Sequence, residues 1–133
     1  MSEVLVDTSA WIDYLNDESS PYGTTLDYLL AKDLVCTCFV VQCEVLSAMK
    51  AEDQFLKYSI IFDSIPRCHE SSIDWPALVY QAFLLKRKGI SGIGVPDLMI
   101  AQLAIQHHKT VFTKDKDFER MAPIISLHLL DLP

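Results

Sequence analysis

The chain has 133 residues, half of them hydrophobic and 22% charged, which fits one globular domain over residues 1–133 and excludes a disordered or low-complexity protein. Its formal net charge of −7 argues against a general nucleic-acid binder, whose affinity rests on Lys and Arg meeting phosphates, but leaves room for a local site of cation-binding carboxylates. No apolar stretch reaches the roughly 18 residues that cross a bilayer, and Glu3 and Asp7 stand where a signal peptide needs a basic segment and an apolar run, so a cytoplasmic protein without a membrane partner is expected.

In chain order, Val4, Leu5 and Val6 read as a buried strand that stops on Asp7, a carboxylate costly to bury unless something pairs with it. Thr8 or Ser9 is placed to cap a helix carried by Trp11, Ile12 and Leu15 to about Asn16. NDESSPYG reads as a loop, TTLDYLLAKD as a short helix capped by Thr24 or Thr25, and LVCTC as a second strand. Helical spacing from Val40 to Ile65 predicts two helices. RCHE is a weak third strand, and SSIDWPALVYQAFLLKRKG a long helix that starts at Ser71 or Ser72 with Gly89 past its end. After the loop GISGIG, VPDLMIAQLAIQHHK is a helix with Pro96 in its first turn. TVFT is a strand, KDKDFERMA a turn and short helix, and ISLHLL a last strand.

Strands alternating with helices predict a parallel sheet covered on both faces. Ligands of such sheets sit beyond the carboxyl ends of the strands. Asp7 and the segment Thr113 to Asp117 each follow a strand, so they are expected at one edge. The loop KGISGIGV permits Asp97 to join them. Singly, each acid has a plain reading: Asp7 as a helix cap, Glu44 on a solvent face, Asp97 complementing a helix dipole, Asp115 and Asp117 as turn residues. Together they form a constellation. The cysteines (Cys36, Cys38, Cys43, Cys68) read as reduced, mostly buried thiols, because neither their spacing nor that of the histidines matches a zinc site.

VLVDTSAWIDYL, Glu44 in CEVL, PDLMIAQLAI and TVFTKDKDFERM, in that order between Val4 and Leu130, resemble the four acidic motifs of PIN-domain ribonucleases. The length and the D-T-S-x-W-I opening resemble VapC-type toxins of toxin–antitoxin pairs. The resemblance implies an α/β fold, a PIN-like three-layer sandwich with a central, mostly parallel sheet of about four or five strands and helices on both faces. It implies a Mg²⁺- or Mn²⁺-dependent endoribonuclease with Asp7, Glu44, Asp97 and Asp115 as catalytic acids. Asp7 and Asp97 would be the principal metal ligands, with Asp115 completing the shell and Glu44 ligating or orienting the attacking water. Asp117 would be an accessory acid, and Ser9 and Thr113 hydroxyls that hydrogen-bond around the site. An RNA substrate, a cognate antitoxin and a homodimer are implied as partners. Phe55, Leu56, Ile60 and Ile61 offer apolar surface for a dimer or else belong to the core. One departure is visible: the segment before Glu44 usually begins with Ser or Thr in the family, and here it reads CFVVQCE.

Ligation by oxygen alone favours Mg²⁺ or Mn²⁺ over zinc. Lys86, Arg87 and Lys88 end one helix, and Lys109, Lys114, Lys116 and Arg120 surround the last acidic motif. Basic residues favour helix ends and exposed turns, so the first cluster is left open. In the second, Lys114, Lys116 and Arg120 are the candidates for substrate binding, with Lys109 grouped beside them. A receiver-like signalling domain would need paired acids after the first strand and a phosphoacceptor Asp after a middle strand, and neither is present. The motifs are also compatible with a PIN-fold nuclease in RNA processing or DNA-structure cleavage without an antitoxin, and with a non-catalytic PIN-fold binding module.

Overall fold

The computed structural model describes residues 3–133. Its elements, in order, are β1 (Val4–Val6), α1 (Thr8–Asn16), α2 (Pro21–Ala31), β2 (Val35–Cys36), α3 (Phe39–Ser47), α4 (Glu52–Asp63), a single 3-10 turn (Glu70–Ser72), α5 (Trp75–Arg87), α6 (Val95–Gln106), β3 (Thr110–Phe112) and α7 (Lys116–Ile125). The strands are all parallel in the order β2-β1-β3, with Leu5 opposite both Cys36 and Val111. Successive strand residues face opposite sides of a sheet. Val4, Leu5 and Val6 are all fully buried, so both faces of the central strand are covered. The helices pack in two groups, α1 with α2, α3 and, through α3, α4, and α5 with α6 and α7, with α3 also touching α6. Trp11 and Phe62 fill the first group, their rings 4.8 Å apart. Truncating a buried Phe such as Phe62 to Ala costs about 3–5 kcal/mol.

Among the described residues the sheet has three strands rather than four or five. The segments expected as further strands touch it through single bridges, Arg67 against Thr37 and Leu129 against Val111. Pro66 supplies a carbonyl to Thr37 but has no N–H to extend that ladder. At the other edge α7 runs on through Ile125, and Ser126 then turns with φ 58, so helix takes the residues that would begin a strand.

Three helix starts also differ. Asp7 itself caps α1, its side chain accepting from the Ala10 N–H, so neither Thr8 nor Ser9 does so. α2 begins at Pro21, with Ser20 accepting from Gly23 N, rather than at Thr24 or Thr25. Proline is pre-set for the first helical turn, and it sits one residue after a serine cap. Gly23 is required there, since a Cβ would come within 2.5 Å of the Asp17 carbonyl oxygen. α5 begins at Trp75 behind Asp74, which accepts from Ala77 N, and the expected starters Ser71 and Ser72 lie in the separate 3-10 turn. Gly89 lies past the end of α5 with φ 82, the left-handed conformation that glycine adopts without strain. Cys36, Cys38 and Cys68 are buried free thiols and Cys43 is exposed. No helix among the described residues is long and apolar enough to cross a membrane.

Candidate functional site

The carboxyl ends of β1 and β3 are tied together. Asp7 N donates to the Phe112 carbonyl at 3.0 Å, continuing the ladder one residue beyond the strands. The Asp7 side chain, only 3% exposed, then receives three donors. Ser9 Oγ and Ala10 N reach Oδ1 at 2.7 and 3.1 Å, and Thr113 Oγ1 reaches Oδ2 at 2.7 Å. The two hydroxyls also lie 3.3 Å apart, and each accepts a backbone N–H, Ser9 from Lys114 and Thr113 from Asp115. Burial pushes the Asp7 carboxyl up from its ordinary range, the hydrogen bonds from Thr113, Ser9 and Ala10 pull it back, and the charge of Asp115 pushes it up again.

Asp97, Asp115 and Asp117 each present a carboxylate oxygen to one small volume, the three atoms within 4.8 Å of one another. Asp115 and Asp117 arrive there because α7 starts directly after β3. Asp115 is the α7 cap, accepting from Asp117 N at 2.9 Å, so it serves the helix and the cluster at once. Asp97 arrives from the first turn of α6. The Asp97 carboxyl is pushed up to about 6, first by burial and then by the charges of Asp115, Glu44, Asp7 and Asp117. Asp7 and Glu44 are therefore close enough to act on Asp97, while the three convergent oxygens belong to Asp97, Asp115 and Asp117. Glu44, exposed on α3, accepts from Thr8 Oγ1 at 2.7 Å.

The basic residues divide. Lys114 Nζ pairs with Asp13 at 2.7 Å and lies 5.7 Å from the Tyr22 ring centroid, so it closes α1 and α2 onto the β3 end. Arg120 reaches Asp117 Oδ1 at 3.0 Å and the Ser91 carbonyl at 3.3 Å, tying the loop before α6 to α7. Lys116 is exposed. Lys109 does not belong with them: it precedes β3, at the opposite end of the strand from the acids, and pairs with Glu3 at 3.0 Å. Lys86 and Arg87 close α5, and Lys88 is its C-cap.

Two residues that sequence reasoning assigned no part here bear on Glu44. One is Thr8. The other is Glu70, whose carboxylate accepts from the Phe39 and Val40 N–H groups at 3.1 and 2.7 Å. Glu70 thereby caps α3 from a distant segment, where Cys38 makes no side-chain cap hydrogen bond. The missing Ser or Thr before Glu44 was the only signal in the sequence that α3 needed a cap from elsewhere.

The sequence profile of the PIN domain family matches residues 4–123. Ribonuclease VapC11 of Mycobacterium tuberculosis is 27% identical over 129 residues, covering 93% of this chain and 95% of its own. Among solved structures, VapBC2 from Rickettsia felis, bound to a DNA fragment from its promoter, superposes with a TM-score of 0.76 at 24% identity over 98% of each chain. DNA-bound VapBC from Salmonella typhimurium does so with a TM-score of 0.77 at 16% identity over the whole of each chain. Both superpositions show the same fold.

Proposed function

The chain belongs to the PIN domain family, and from that premise we propose that it is a metal-dependent endoribonuclease, the toxin of a toxin–antitoxin pair. The observation that carries the reading is the convergence of Asp97, Asp115 and Asp117, with the charges of Glu44 and Asp7 bearing on Asp97. The similarity to a VapC ribonuclease and to VapBC assemblies supports both the RNA substrate and the antitoxin.

The donor set fits Mg²⁺ or Mn²⁺: every convergent atom is a carboxylate oxygen, and the cluster holds more negative charge than Arg120 offsets. A bound divalent cation would reverse the sign of the site towards a phosphodiester and acidify a water. Asp97, Asp115 and Asp117 would hold the cation, with Asp7 completing the shell from the buried strand end. Ser9 and Thr113 orient Asp7 by donating to its two oxygens. Glu44 orients the attacking water and accepts its proton at the carboxylate oxygen that Thr8 does not engage. A new P–O bond then forms from water, the ester P–O bond breaks, the leaving oxygen takes a proton from solvent water, and Glu44 returns its proton to solvent. Lys116 is exposed beside the cluster and is the freest of the candidate phosphate contacts. Lys114 and Arg120 would first have to leave Asp13 and Asp117.

A homodimer belongs to the same reading. Phe55, Leu56 and Ile60 are exposed on α4, while Ile61 packs on the core. Trp75, Val79, Tyr80 and Phe83 form a second exposed apolar stripe on α5. As a toxin acting on cellular RNA the protein would work in the cytoplasm.

The test is cleavage of labelled RNA by the purified chain with Mn²⁺, beside an Asp97→Asn protein, together with expression in the native host. Cleavage that Asp97→Asn removes, and growth arrest relieved by co-expression of a neighbouring antitoxin, are the expected results. No cleavage by the wild-type chain, or undiminished cleavage by Asp97→Asn, overturns the enzyme; cleavage without arrest overturns the toxin.

A further inference from the structure

Thr8 stands between two residues with visible duties. Asp7 caps α1 and ends β1, and Ser9 bonds to Asp7. Because Asp7 is the cap, the Thr8 hydroxyl is not needed by the first turn of its own helix. It donates instead across 36 positions to Glu44 Oε1 at 2.7 Å, joining α1 to α3. A threonine in a helix is restricted at χ1 to about two rotamers, so this hydroxyl has few alternatives, on a backbone that hangs directly from the buried strand. Glu44 is its opposite, a long and exposed side chain whose only side-chain hydrogen bond among the described residues is this one. Left free, such a side chain samples many rotamers and spends little time over the acid cluster.

We propose that Thr8 is a positioning residue for Glu44. Its hydroxyl holds Glu44 Oε1 and thereby keeps the second carboxylate oxygen available to the site of Asp97, Asp115 and Asp117. The role rests on the ribonuclease reading for its effect on catalysis, but not for the hydrogen bond or for the restraint on Glu44. The D-T-S motif then carries three separate tasks on adjacent residues: an acid, a support for a second acid, and a support for the first.

The test compares Thr8→Val, which keeps the shape and removes the donor, with Thr8→Ser, which restores it, each alone and in a Glu44→Ala background. On RNA with saturating Mn²⁺, Thr8→Val lowers kcat about 2–10-fold, the fold-change expected for one solvent-exposed hydrogen bond, with KM little changed. Thr8→Ser recovers most of the rate. With Glu44 already removed, Thr8→Val has no further effect, which a general disturbance of α1 would not reproduce. Two readouts need no activity. The Mn²⁺ concentration for half-maximal thermal stabilisation rises in Thr8→Val and not in Thr8→Ser. In the metal-free protein, NMR order parameters of the Glu44 methylenes fall in Thr8→Val and recover in Thr8→Ser. Wild-type kcat in Thr8→Val, an equal loss in the Glu44→Ala background, or unchanged Glu44 order overturns the proposal. If the wild-type chain cleaves no RNA, the ribonuclease reading fails, and the metal-free order parameters still decide the role of Thr8.

Discussion

The Thr113 hydroxyl donates to Asp7 Oδ2 at 2.7 Å, although 106 positions separate the two residues. The bond exists because β1 and β3 are parallel neighbours whose carboxyl ends stop together. Thr113→Val keeps the shape and leaves an oxygen of a nearly buried carboxylate without its donor. That costs about 1–3 kcal/mol when Asp7 is ionised. The loss is pH-dependent with a definite sign. Burial already raises the Asp7 pKa, and removing a donor to the ionised form raises it further. The penalty is therefore smallest at low pH, where Asp7 is protonated, and grows as pH rises. Urea unfolding of both proteins at pH 4 and pH 8 checks this, and a penalty that shrinks towards pH 8 contradicts it.

Glu70→Ala removes the carboxylate that holds the first two N–H groups of α3. Loss of a helix cap costs about 0.5–2 kcal/mol, and the charge at a helix N-terminus adds to the effect. Because α3 carries Glu44, RNA cleavage should fall along with the unfolding midpoint, by several-fold rather than to zero. An unfolding midpoint equal to wild type would show that Cys38 or water caps the helix well enough alone.

What the sequence disclosed divides along one physical line. The acids that follow strands were legible because hydrophobic runs end where a sheet ends: Asp7 after Val4, Leu5 and Val6, and Asp115 after Val111 and Phe112. That Asp7 and Thr113 would share an edge followed from strand–helix alternation. The missed helix starts at Pro21 and Trp75 were local errors, since a proline behind Ser20 and another behind Asp74 both signalled a first turn. The strand expected at ISLHLL failed because Ile125 completes the buried face of α7 and Ser126 then turns the chain, leaving a single bridge at Leu129. Thr8 with Glu44, Glu70 with α3, and Lys109 with Glu3 are all long-range side-chain pairings, invisible to periodicity. Only the order of the acidic motifs, a family property, drew Glu44 into the site.

Asp97 makes the metal-free protein pH-sensitive. Its carboxyl is raised from the ordinary 3.8 to about 6, by burial first and then by neighbouring acids. Between those two values the folded protein holds more protons than the unfolded chain, so stability falls as pH rises. The contribution is complete below about pH 4 and is lost through pH 6. It amounts to about 1–2 kcal/mol once solvent screening of a half-buried charge is allowed for. Asp97→Asn, which carries no charge to repel, should flatten this slope and make the metal-free protein more stable than wild type at pH 7. A wild-type slope retained in Asp97→Asn would assign the effect to another group.

The same repulsion predicts the response to metal. A divalent cation that binds the folded acid cluster and not the unfolded chain raises the melting temperature as its concentration rises, by about 2.7 kcal/mol at a hundredfold excess over Kd. Asp97 should feel the change most, because four acidic neighbours raise its pKa and a cation among them lowers it. Metal should therefore stabilise the protein more at pH 7 than at pH 5, where protons compete for the same oxygens. EDTA should stop RNA cleavage and Mg²⁺ or Mn²⁺ restore it. Zn²⁺ should restore it poorly, because zinc selects nitrogen and sulfur ligands in tetrahedral sites and the cluster offers carboxylate oxygens. Asp7→Asn should blunt the thermal shift as well as the rate. Melting and cleavage measured against Mn²⁺ at both pH values give the answer together: cleavage that persists undiminished in excess chelator would mean that the acids work by proton transfer alone, without a cation.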